Sequence, residues 1–489
     1  MRAALFRRLI PAPGDPVFAL VLLIVLIGGR NRLFNDPGTL WHLRLGRDIL
    51  ATGTVPQFDT LTFTHAHEPW VDQSWAFDVT LALVVDHGGW PAAAALTALL
   101  LAAVYSALAR GLIRDGISPV VSVIVTLLMA AIGCIHFLVR PHIITLALVY
   151  LTFRICQKQH ERGGWSVAWV PVLTAIVANV HGGFLALPGI VATAAVAHAV
   201  SGPWDQVRRQ NVTRFVLVFL ASLLAALINP YGLDLYRHVY QLLVGSGVTG
   251  LIQEYQPAPF GTPETQVLEI VLLAFMALPA LVSRKVDRYH LVHLLVWLHL
   301  ALTHLRNAPL FAFAAAPALA TLADGLPITF RSWWTGPQRR SIWAPALATA
   351  LLAMVAFHVN LGGFDRGKWP FSALATLNRQ PPEKHLFNDL EWGGLVAAET
   401  RPVHPSFVDD RFEIFGKAAI VEYIEALSGG PTWDVVRDRD RIELVWVRPD
   451  CGLAKRVAND EGWTELFRDS TSVLFGRKTA EQLLTSSHP

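Results

Sequence analysis

Asp36 combines the residue type and the position that general-base chemistry requires. It comes directly after the first long apolar run of the chain, in the segment Asn35-Asp36-Pro37-Gly38. A carboxylate at the mouth of a helix bundle accepts a proton from a hydroxyl or amine nucleophile when the two lie within hydrogen-bonding reach. The alternative is an aspartate that caps the following helix by accepting bonds from its free N–H groups. The sequence leaves both roles open.

Two arginines have the chemistry needed to bind a phosphate group. Arg140 and Arg306 each lie at the end of an apolar run, and a guanidinium binds phosphate oxygens in a bidentate way. Arginines at such positions also extend to the membrane interface or pair with acids, which is the alternative here. We assign His142 to the same phosphate. Substrate contacts are assigned to three further residues at this predicted membrane level, His181, Tyr231 and Glu254.

The first outer loop, residues 31–75, holds the remaining candidates for substrate contact, which are His42, Arg44, Trp70 and Asp72. Acids and histidines lie close together in this loop and could bind a divalent cation, but they lack an ordered spacing such as His-x-x-x-His. A hydrated, hydrogen-bonded loop is the alternative. Trp70 and Trp75 suit an interfacial aromatic belt or a platform for a sugar ring. The sequence therefore assigns no metal ligand and leaves a divalent cation open.

The elements that must position these residues are membrane helices. Of the 489 residues, 53% are apolar and only 16% are charged, whereas soluble domains carry roughly a quarter charged residues. This composition excludes a cytosolic globular enzyme and a disordered chain. A net charge of +3 does not indicate a nucleic-acid partner. The three cysteines do not form a disulfide framework.

Eleven apolar runs are long enough to span a bilayer, for which about 20 residues are needed. They are residues 16–32, 91–109, 118–138, 142–157, 165–180, 184–200, 213–229, 266–283, 289–304, 308–325 and 342–359. We therefore predict a polytopic α-helical membrane protein. Residues 75–88 are predicted to form an interfacial or partly inserted helix that leads into the second span. The spacing of Trp41, Leu45 and Ile49 predicts an amphipathic helix along the membrane interface.

Basic residues occur in alternate loops and predict the orientation of the chain. One set of loops holds sixteen Lys and Arg residues, and these residues resist translocation, so this side is predicted to face the cytoplasm. An odd number of spans then places the N-terminus in the cytoplasm and the C-terminal part outside the cytoplasmic membrane. All the candidate residues above fall on the outer side.

The pattern of hydrophobicity changes near residue 361. We predict a membrane domain over residues 1–361 and a small extracytoplasmic α/β domain over residues 362–489. Its short β-rich runs are residues 385–390, 406–409, 442–447 and 472–475.

Several short motifs lie in the first outer loop: Asp36-Pro37-Gly38-Thr39-Leu40-Trp41-His42 with Gly46-Arg47, and later Pro69-Trp70-Val71 and Trp75. With about eleven spans, a cytoplasmic N-terminus, a long outer loop and an outer C-terminal domain, the sequence resembles the GT-C superfamily of integral-membrane glycosyltransferases. This superfamily contains protein O-mannosyltransferases and lipid A aminoarabinose transferases. The likeness covers most of the chain in architecture, and the motifs look like those of a bacterial branch of GT-C-like proteins.

The resemblance implies a role for three of the candidates. In GT-C enzymes the acid of the first outer loop is the catalytic base, and the donor is a sugar on a polyprenyl phosphate or diphosphate. Carried over by position, Asp36 would be the base, and Arg140 and Arg306 would bind the donor phosphate.

The chain departs from the superfamily pattern at three points. Many relatives have two adjacent acids where this chain has Asn35-Asp36. Trp333-Trp334 is followed by Thr335 rather than by aspartate, which argues against an oligosaccharyltransferase. The first outer loop has no Asp-x-Asp, so a metal requirement is not indicated.

The C-terminal segment also resembles the outer domain of some of these proteins, through Phe387-Asn388-Asp389-Leu390-Glu391-Trp392-Gly393-Gly394 and Phe407-Val408-Asp409-Asp410-Arg411. Asp389, Asp409 and Arg411 are candidates for binding the acceptor. The alternative is a structural ion pair of Arg411 with Asp409 or Asp410.

The hypothesis is an inverting transfer of a sugar from a polyprenyl-phosphate-linked donor to an extracytoplasmic glycan, lipid or protein acceptor. Its partners would be the lipid-linked donor and membrane lipids, with no nucleic acid. A transporter or flippase of lipid-linked saccharide is the first alternative, although the paired half-repeats common in transporters are not visible. A non-catalytic subunit for envelope assembly is the second.

Overall fold

The computed structural model describes residues 11–29, 32–327, 341–357, 361, 363–400 and 404–479. Its α-helices are, in chain order, α1 (Asp15–Leu23), α2 (Gly38–Thr52), α3 (Trp75–Arg114), α4 (Pro119–Gly133), α5 (His142–Arg162), α6 (Val170–Val180), α7 (Ala186–Val200), α8 (Gln206–Ala225), α9 (Asp234–Tyr240), α10 (Pro263–Leu281), α11 (Arg288–Thr303), α12 (Ala308–Ala323), α13 (Trp343–Ala356), α14 (Leu374–Leu377), α15 (Gly393–Glu399), α16 (Phe412–Leu427), α17 (Thr432–Arg439) and α18 (Gly452–Ala458). The β-strands are β1 (His385–Asn388), β2 (Ile442–Val447), β3 (Trp463–Arg468) and β4 (Val473–Arg477).

Some of the residues used in the sequence predictions lie outside the described residues. They are Trp333-Trp334 and six of the basic residues that predict the orientation, Arg2, Arg7, Arg8, Arg331, Arg339 and Arg340. The orientation of the chain therefore stays a prediction.

The chain divides into two compact units. The first unit is residues 1–33, 88–233 and 252–362, and the second is residues 34–87, 234–251 and 363–489. The last division between the units falls after residue 362, one residue beyond the predicted boundary, and the assignment of the two domains stays a prediction. The first outer loop differs from the prediction, because it belongs to the unit of the C-terminal domain and not to the membrane domain.

A helix lies at each of the eleven predicted spans. Among the described residues, three helices are long and apolar enough to cross a bilayer by length and composition: Trp75–Arg114, Pro119–His136 and Gly182–Val200. Several other helices are apolar but shorter. A helical protein with apolar candidate spans is thus confirmed, and the number of spans stays a prediction.

The first unit has a core of small side chains. Helix α12 buries most of its length, including the fully buried Ala312, Ala315 and Ala316, and it packs against α4 and α11. Alanine lets helix backbones approach closely, which is how helices associate where the surroundings are as apolar as their side chains.

Helix α3 joins the predicted interfacial helix to the second span. The helix is interrupted at Gly89, where φ is +66° and ψ is −175°. This backbone conformation is rarely adopted by residues with a Cβ atom, and Pro91 follows two residues later. The glycine therefore permits the break in the helix at this position.

Helix α2 of the second unit buries its apolar side in protein. Trp41 and Leu45 are 6% and 1% exposed, and they pack with Leu61, Trp70 and Ala397. Helix α2 also packs against α15. The helix was predicted correctly, but the apolar residues that suggested a membrane surface contact the rest of the second unit.

The second unit contains a four-stranded sheet with the order β1-β2-β4-β3. Strand β1 is parallel to β2, and the other two pairings are antiparallel. Aromatic residues dominate the core beside it, among them Phe387, Tyr423, Trp433 and Phe475.

The predicted strands β1, β2 and β4 are present, but the strand predicted at residues 406–409 is wrong. There Phe407 N donates to the Asn388 side chain over 2.7 Å, and Ser406 N donates to Leu61 O over 3.2 Å. These backbone groups therefore bond to a side chain and to a loop, and residues 406–409 do not pair as a strand of the sheet. Strand β3 was missed, because its largely polar sequence has a weak hydrophobic pattern.

Candidate functional site

Polar residues at the ends of several helices meet in the first unit. We call this group the outer cluster; its members are His136, Arg140, His142, His181, Glu254, Tyr255 and Arg306. His136 ends the turn after α4, His142 begins α5, His181 ends α6, and Arg306 lies in the turn between α11 and α12. The sequence predicted that Arg140, His142, His181, Glu254 and Arg306 share one level, and the structure brings them together with His136 and Tyr255.

The histidines contact one another. The rings of His136 and His142 have centroids 4.5 Å apart, and those of His142 and His181 are 6.3 Å apart. His142 Nε2 donates to the carbonyl of His136 over 2.6 Å. That nitrogen is therefore occupied by the protein, so any direct bond from His142 to a phosphate would have to involve its other nitrogen, Nδ1.

His181 offers the more available donor. Its Nδ1 accepts a hydrogen bond from Gly183 N over 3.3 Å and lies 3.1 Å from Thr145 Oγ1. When Nδ1 accepts, the proton of the neutral imidazole is on Nε2, which then acts as a donor. His181 thus has the hydrogen-bonding capacity that the predicted substrate contact requires.

Arg306 is stacked on an aromatic ring. Its guanidinium carbon lies 4.2 Å from the centroid of the Tyr255 ring, and the turn is held by a bond from Leu305 N to Gln256 O of 3.0 Å. Glu254 and Arg140 are close enough to act on Arg306 electrostatically. Among the described residues no carboxylate forms an ion pair with Arg306, so its charge is only partly balanced and favours an anion.

Tyr231 lies in the turn after α8. Its backbone N–H donates to the Asn229 side chain over 2.7 Å. The turn is joined to the end of α6, because Asn179 Nδ2 donates to Ile228 O over 2.6 Å. Two of the predicted polar turns are therefore adjacent.

In the second unit, Asp36 is 7% exposed and lies at the start of α2. Its Oδ1 accepts a hydrogen bond from Gly38 N over 2.8 Å. This is the capping contact that the sequence offered as the alternative role. An ionised carboxylate can accept this bond and still take up a proton, so the contact is compatible with base chemistry.

His42 and Asp72 are 2% and 0% exposed, which places them inside the second unit and not on a substrate surface. His42 Nδ1 lies 2.7 Å from Asp78 Oδ1, and Asp72 Oδ1 accepts from Ser74 N over 3.1 Å. The Asp72 and Asp78 carboxyls are hydrogen-bonded to each other, and burial raises the pKa of Asp72 to about 6. Because these side chains are buried and hydrogen-bonded to one another, we infer that they stabilise the fold of the outer loop.

Trp70 is 5% exposed and does not form an open platform. The guanidinium carbon of Arg411 lies 4.6 Å from the centroid of the Trp70 ring. Arg411 also forms ion pairs of 2.6 Å with Asp409 and 2.9 Å with Asp59. We call Trp41, Asp59, Trp70, Asp409 and Arg411 the Arg411 network. The ion pair of Arg411 with Asp409 is the structural role that the sequence analysis gave as the alternative to acceptor binding.

The charges of this network stabilise each other in the interior. Burial opposes ionisation of Asp59, but the Arg411 guanidinium and bonds from Thr62 and Leu61 outweigh it and lower the pKa of Asp59. Burial also opposes the charge of Arg411, yet Asp409 and Asp59 outweigh it and raise the pKa of Arg411. Arg44, by contrast, forms a partly exposed pair with Asp48 one helical turn away, at 3.1 Å.

Sequence reasoning missed three residues that the structure makes prominent. His136 was overlooked because it ends an apolar run without a polar neighbour, although its place six residues before His142 was a usable signal. Asp78 was noted only as a charge in a short apolar helix. Lys368 donates to Asn35 O over 2.9 Å, and nothing in the sequence links these distant positions.

No group of three or more His, Cys, Asp or Glu side chains in the described part of the chain is placed to hold a metal ion. Asp59, one of the acids of the first outer loop, is paired with Arg411.

Two solved structures have a fold similar to that of this chain. The structure of the arabinofuranosyltransferase AftD from Mycobacteria is matched over 95% of this chain, with 16% identity and a TM-score of 0.51, and this chain covers 41% of the AftD chain. The structure of ArnT from Cupriavidus metallidurans bound to undecaprenyl phosphate is matched over 95% of this chain and 98% of the ArnT chain, with 15% identity and a TM-score of 0.50. Neither a protein-family model nor a curated protein matches the sequence. At the level of the fold, the predicted resemblance to GT-C glycosyltransferases is confirmed.

Proposed function

We propose that this protein transfers a sugar, with inversion, from a polyprenyl-phosphate-linked donor to an acceptor outside the cytoplasmic membrane. The observation that carries the proposal is the outer cluster, in which Arg140, Arg306 and the His181 donor meet from separate helix ends, and in which Arg306 forms no ion pair with a described carboxylate. The shared fold supports the choice of reaction, since ArnT binds undecaprenyl phosphate with this fold.

The two arginines receive the donor phosphate in this proposal. As the bond between the anomeric carbon and the phosphate oxygen breaks, negative charge grows on the leaving polyprenyl phosphate. Arg140 and Arg306 stabilise that charge, and His181 Nε2 donates to a substrate oxygen. Fixed donors of this kind act most strongly where charge develops in the transition state.

Asp36 acts as the base. The acceptor hydroxyl or amine attacks the anomeric carbon from the side opposite to the phosphate, and its proton passes to the Asp36 carboxylate. The new glycosidic bond forms, the polyprenyl phosphate leaves, and the configuration at the anomeric carbon inverts. The bond from Gly38 N holds the carboxylate at the start of α2.

The test uses membranes that contain the full-length chain, supplied with a lipid extract of polyprenyl-phosphate-linked sugars. Free polyprenyl phosphate is measured by mass spectrometry. Asp36→Asn keeps the shape of the side chain and removes the base, so we expect the rate to fall roughly 10²- to 10⁴-fold. The control is Asp86→Asn, which changes an exposed acid paired with Arg47.

Binding of undecaprenyl phosphate to the purified Asp36→Asn protein should equal that of the unchanged protein, because the phosphate is assigned to the arginines. Transfer that continues unchanged in Asp36→Asn would remove Asp36 as the base. Absence of polyprenyl phosphate release from the unchanged protein, with binding intact, would favour a transporter or a non-catalytic subunit.

A further inference from the structure

A groove of about 990 Å³ opens at the end of the helix bundle opposite to the outer cluster. His142 of the outer cluster is the first residue of α5, whereas Lys158 in the groove lies near the end of the same helix. Sixteen residues of α-helix separate them by about 24 Å. The groove is in the first unit, on the side that the basic loops predict to be cytoplasmic, and its volume is that of a ligand site.

Two of the acids that line the groove are already paired. Asp115 accepts from both terminal nitrogens of Arg154, over 2.5 and 3.0 Å. Asp287 accepts from His290 Nδ1 over 2.5 Å. The charge of Asp115 is thus offset by Arg154, whereas Asp287 keeps its negative charge unless His290 is protonated.

Three cations of the lining have no such partner. Arg114, Lys158 and Arg162 are exposed, and within the described part of the chain no carboxylate forms an ion pair with them. The acid nearest in sequence, Glu161, accepts from Gln157 over 2.8 Å. The lining holds four basic side chains, Arg114, Arg154, Lys158 and Arg162, against the three carboxylates of Asp115, Glu161 and Asp287, so it has a net positive charge.

Buried histidines lie behind this charged lining. His293 is 3% exposed, and neither of its ring nitrogens has a hydrogen-bond partner among the described residues. His290 Nε2 is also buried without a hydrogen-bond partner among the described residues. Both histidines and Arg154 line a recess of about 30 Å³, which has room for one water. Buried polar atoms of this kind need a partner.

The groove also has an apolar edge. Leu151 and Ile155 line it from the same helix as Lys158, and Leu151 is 42% exposed. Residues four apart lie on one face of a helix, so an apolar strip runs from the basic level toward the middle of the predicted span. A ligand that fills the groove has an anionic head and a hydrocarbon tail.

We propose that this groove binds an anionic phospholipid, with the phosphate against Arg114, Lys158 and Arg162 and an acyl chain along Leu151 and Ile155. A water in the recess links the headgroup to His293. Basic pockets between helices on the cytoplasmic side bind such headgroups. This site is separate from the outer cluster and does not depend on the proposed transfer reaction.

The test is native mass spectrometry of the full-length protein, delipidated and titrated with phosphatidylglycerol or phosphatidylcholine. We expect phosphatidylglycerol to bind at least fivefold more tightly. The variant Lys158→Gln/Arg162→Gln should weaken that binding by about fivefold for each cation removed, since a basic residue near a membrane contributes about this factor. The matched control, Arg209→Gln/Lys285→Gln, removes two exposed cations from the same predicted face outside the groove, and should leave binding unchanged.

A second variant tests the recess. His293→Phe keeps the ring and removes its nitrogens, and should weaken phosphatidylglycerol binding about threefold without changing the melting temperature. Equal losses in the groove variant and in the control variant would show a general surface-charge effect and overturn the proposal. Equal binding of both lipids, or binding of glycerol 3-phosphate as tight as that of phosphatidylglycerol, would also overturn it.

Discussion

Arg306 of the first unit and Arg411 of the second unit carry the same guanidinium in opposite surroundings. The Arg411 side chain is 1% exposed and is held by two carboxylates, each with a side chain that is 0% exposed. Arg306 lies over Tyr255, with Arg140 as a like charge acting on it and no ion pair to a described carboxylate. Arg411 is buried and Arg306 is partly buried, but only Arg411 is paired with carboxylates of the protein.

This difference in charge balance assigns a structural role to Arg411 and a ligand-binding role to Arg306. A buried cation needs neighbouring opposite charge, because the desolvation penalty is otherwise several kcal/mol. In the Arg411 network the protein supplies that charge, so removing the arginine should damage the fold. In the outer cluster it is supplied only in part, so removing Arg306 should damage the binding of an anion.

The largest effect is expected for Arg411→Met. The change leaves the Asp59 and Asp409 carboxylates buried without their cation, and it should lower the free energy of unfolding by about 3–5 kcal/mol. Urea unfolding of the purified protein in detergent, followed by tryptophan fluorescence, measures this. Arg439→Met is the control, because Arg439 pairs with Glu422 and Asp440 on the surface and should cost less than about 1 kcal/mol.

Adding Asp59→Asn and Asp409→Asn to Arg411→Met should recover part of the lost free energy of unfolding, because no buried charge is then left unpaired. If Arg411→Met and Arg439→Met destabilise the protein equally, the Arg411 network does not contribute more to stability than a surface ion pair.

The next effect concerns pH. Burial raises the pKa of Asp72 from 3.8 to about 6, so the folded protein binds this proton more tightly than the unfolded chain. The stability from Asp72 is fully present below about pH 4 and is lost as the pH rises through about 6, which amounts to at most about 3 kcal/mol.

Asp72→Asn should therefore match the unchanged protein near pH 4 and exceed its free energy of unfolding above pH 6. The amide keeps the acceptor for Ser74 and supplies an N–H to Asp78. Urea unfolding from pH 4 to pH 8 measures the difference, with Asp48→Asn as a partly exposed control. A difference that does not change with pH would mean that Asp72 is ionised in the folded state throughout.

Arg306→Gln tests whether Arg306 binds an anion and is not needed for the stability of the fold. We expect it to change the free energy of unfolding by less than about 1 kcal/mol, because no ion pair with a described residue is lost. It should weaken undecaprenyl phosphate binding roughly 10- to 100-fold, the loss expected for a charged hydrogen bond. Titration with undecaprenyl phosphate and with undecaprenol separates phosphate binding from hydrocarbon binding. A large loss of stability with unchanged affinity would make Arg306 a structural residue like Arg411.

The smallest effect is expected for Arg44→Gln. Arg44 forms a partly exposed pair with Asp48 at a spacing of four residues, which contributes about 0.5 kcal/mol or less. Stability should hardly change. The rate of polyprenyl phosphate release is the deciding measurement, because a clear decrease would restore Arg44 to the substrate-binding role that the sequence suggested.

The sequence was informative where the signal is local. A run of apolar residues must form a helix in lipid, because no other backbone satisfies its own hydrogen bonds there, and a helix is present at each of the eleven predicted spans. Polar residues at alternate helix ends indicated correctly that His142, His181 and Arg306 would meet, since the direction of the helices follows from their order. The resemblance in the first outer loop likewise indicated the fold.

The sequence by itself thus determined the helices, their approximate ends and the types of residue available at each end. Only the tertiary structure decided which charges are balanced. Trp70, Asp72 and His42 looked like substrate contacts because they are polar or aromatic residues in a loop, and they proved to be buried. The partners of Arg411 include Asp59, more than 350 positions earlier in the sequence. The physical reason is that the cost of a charge depends on its surroundings in three dimensions, which no local pattern of residues contains.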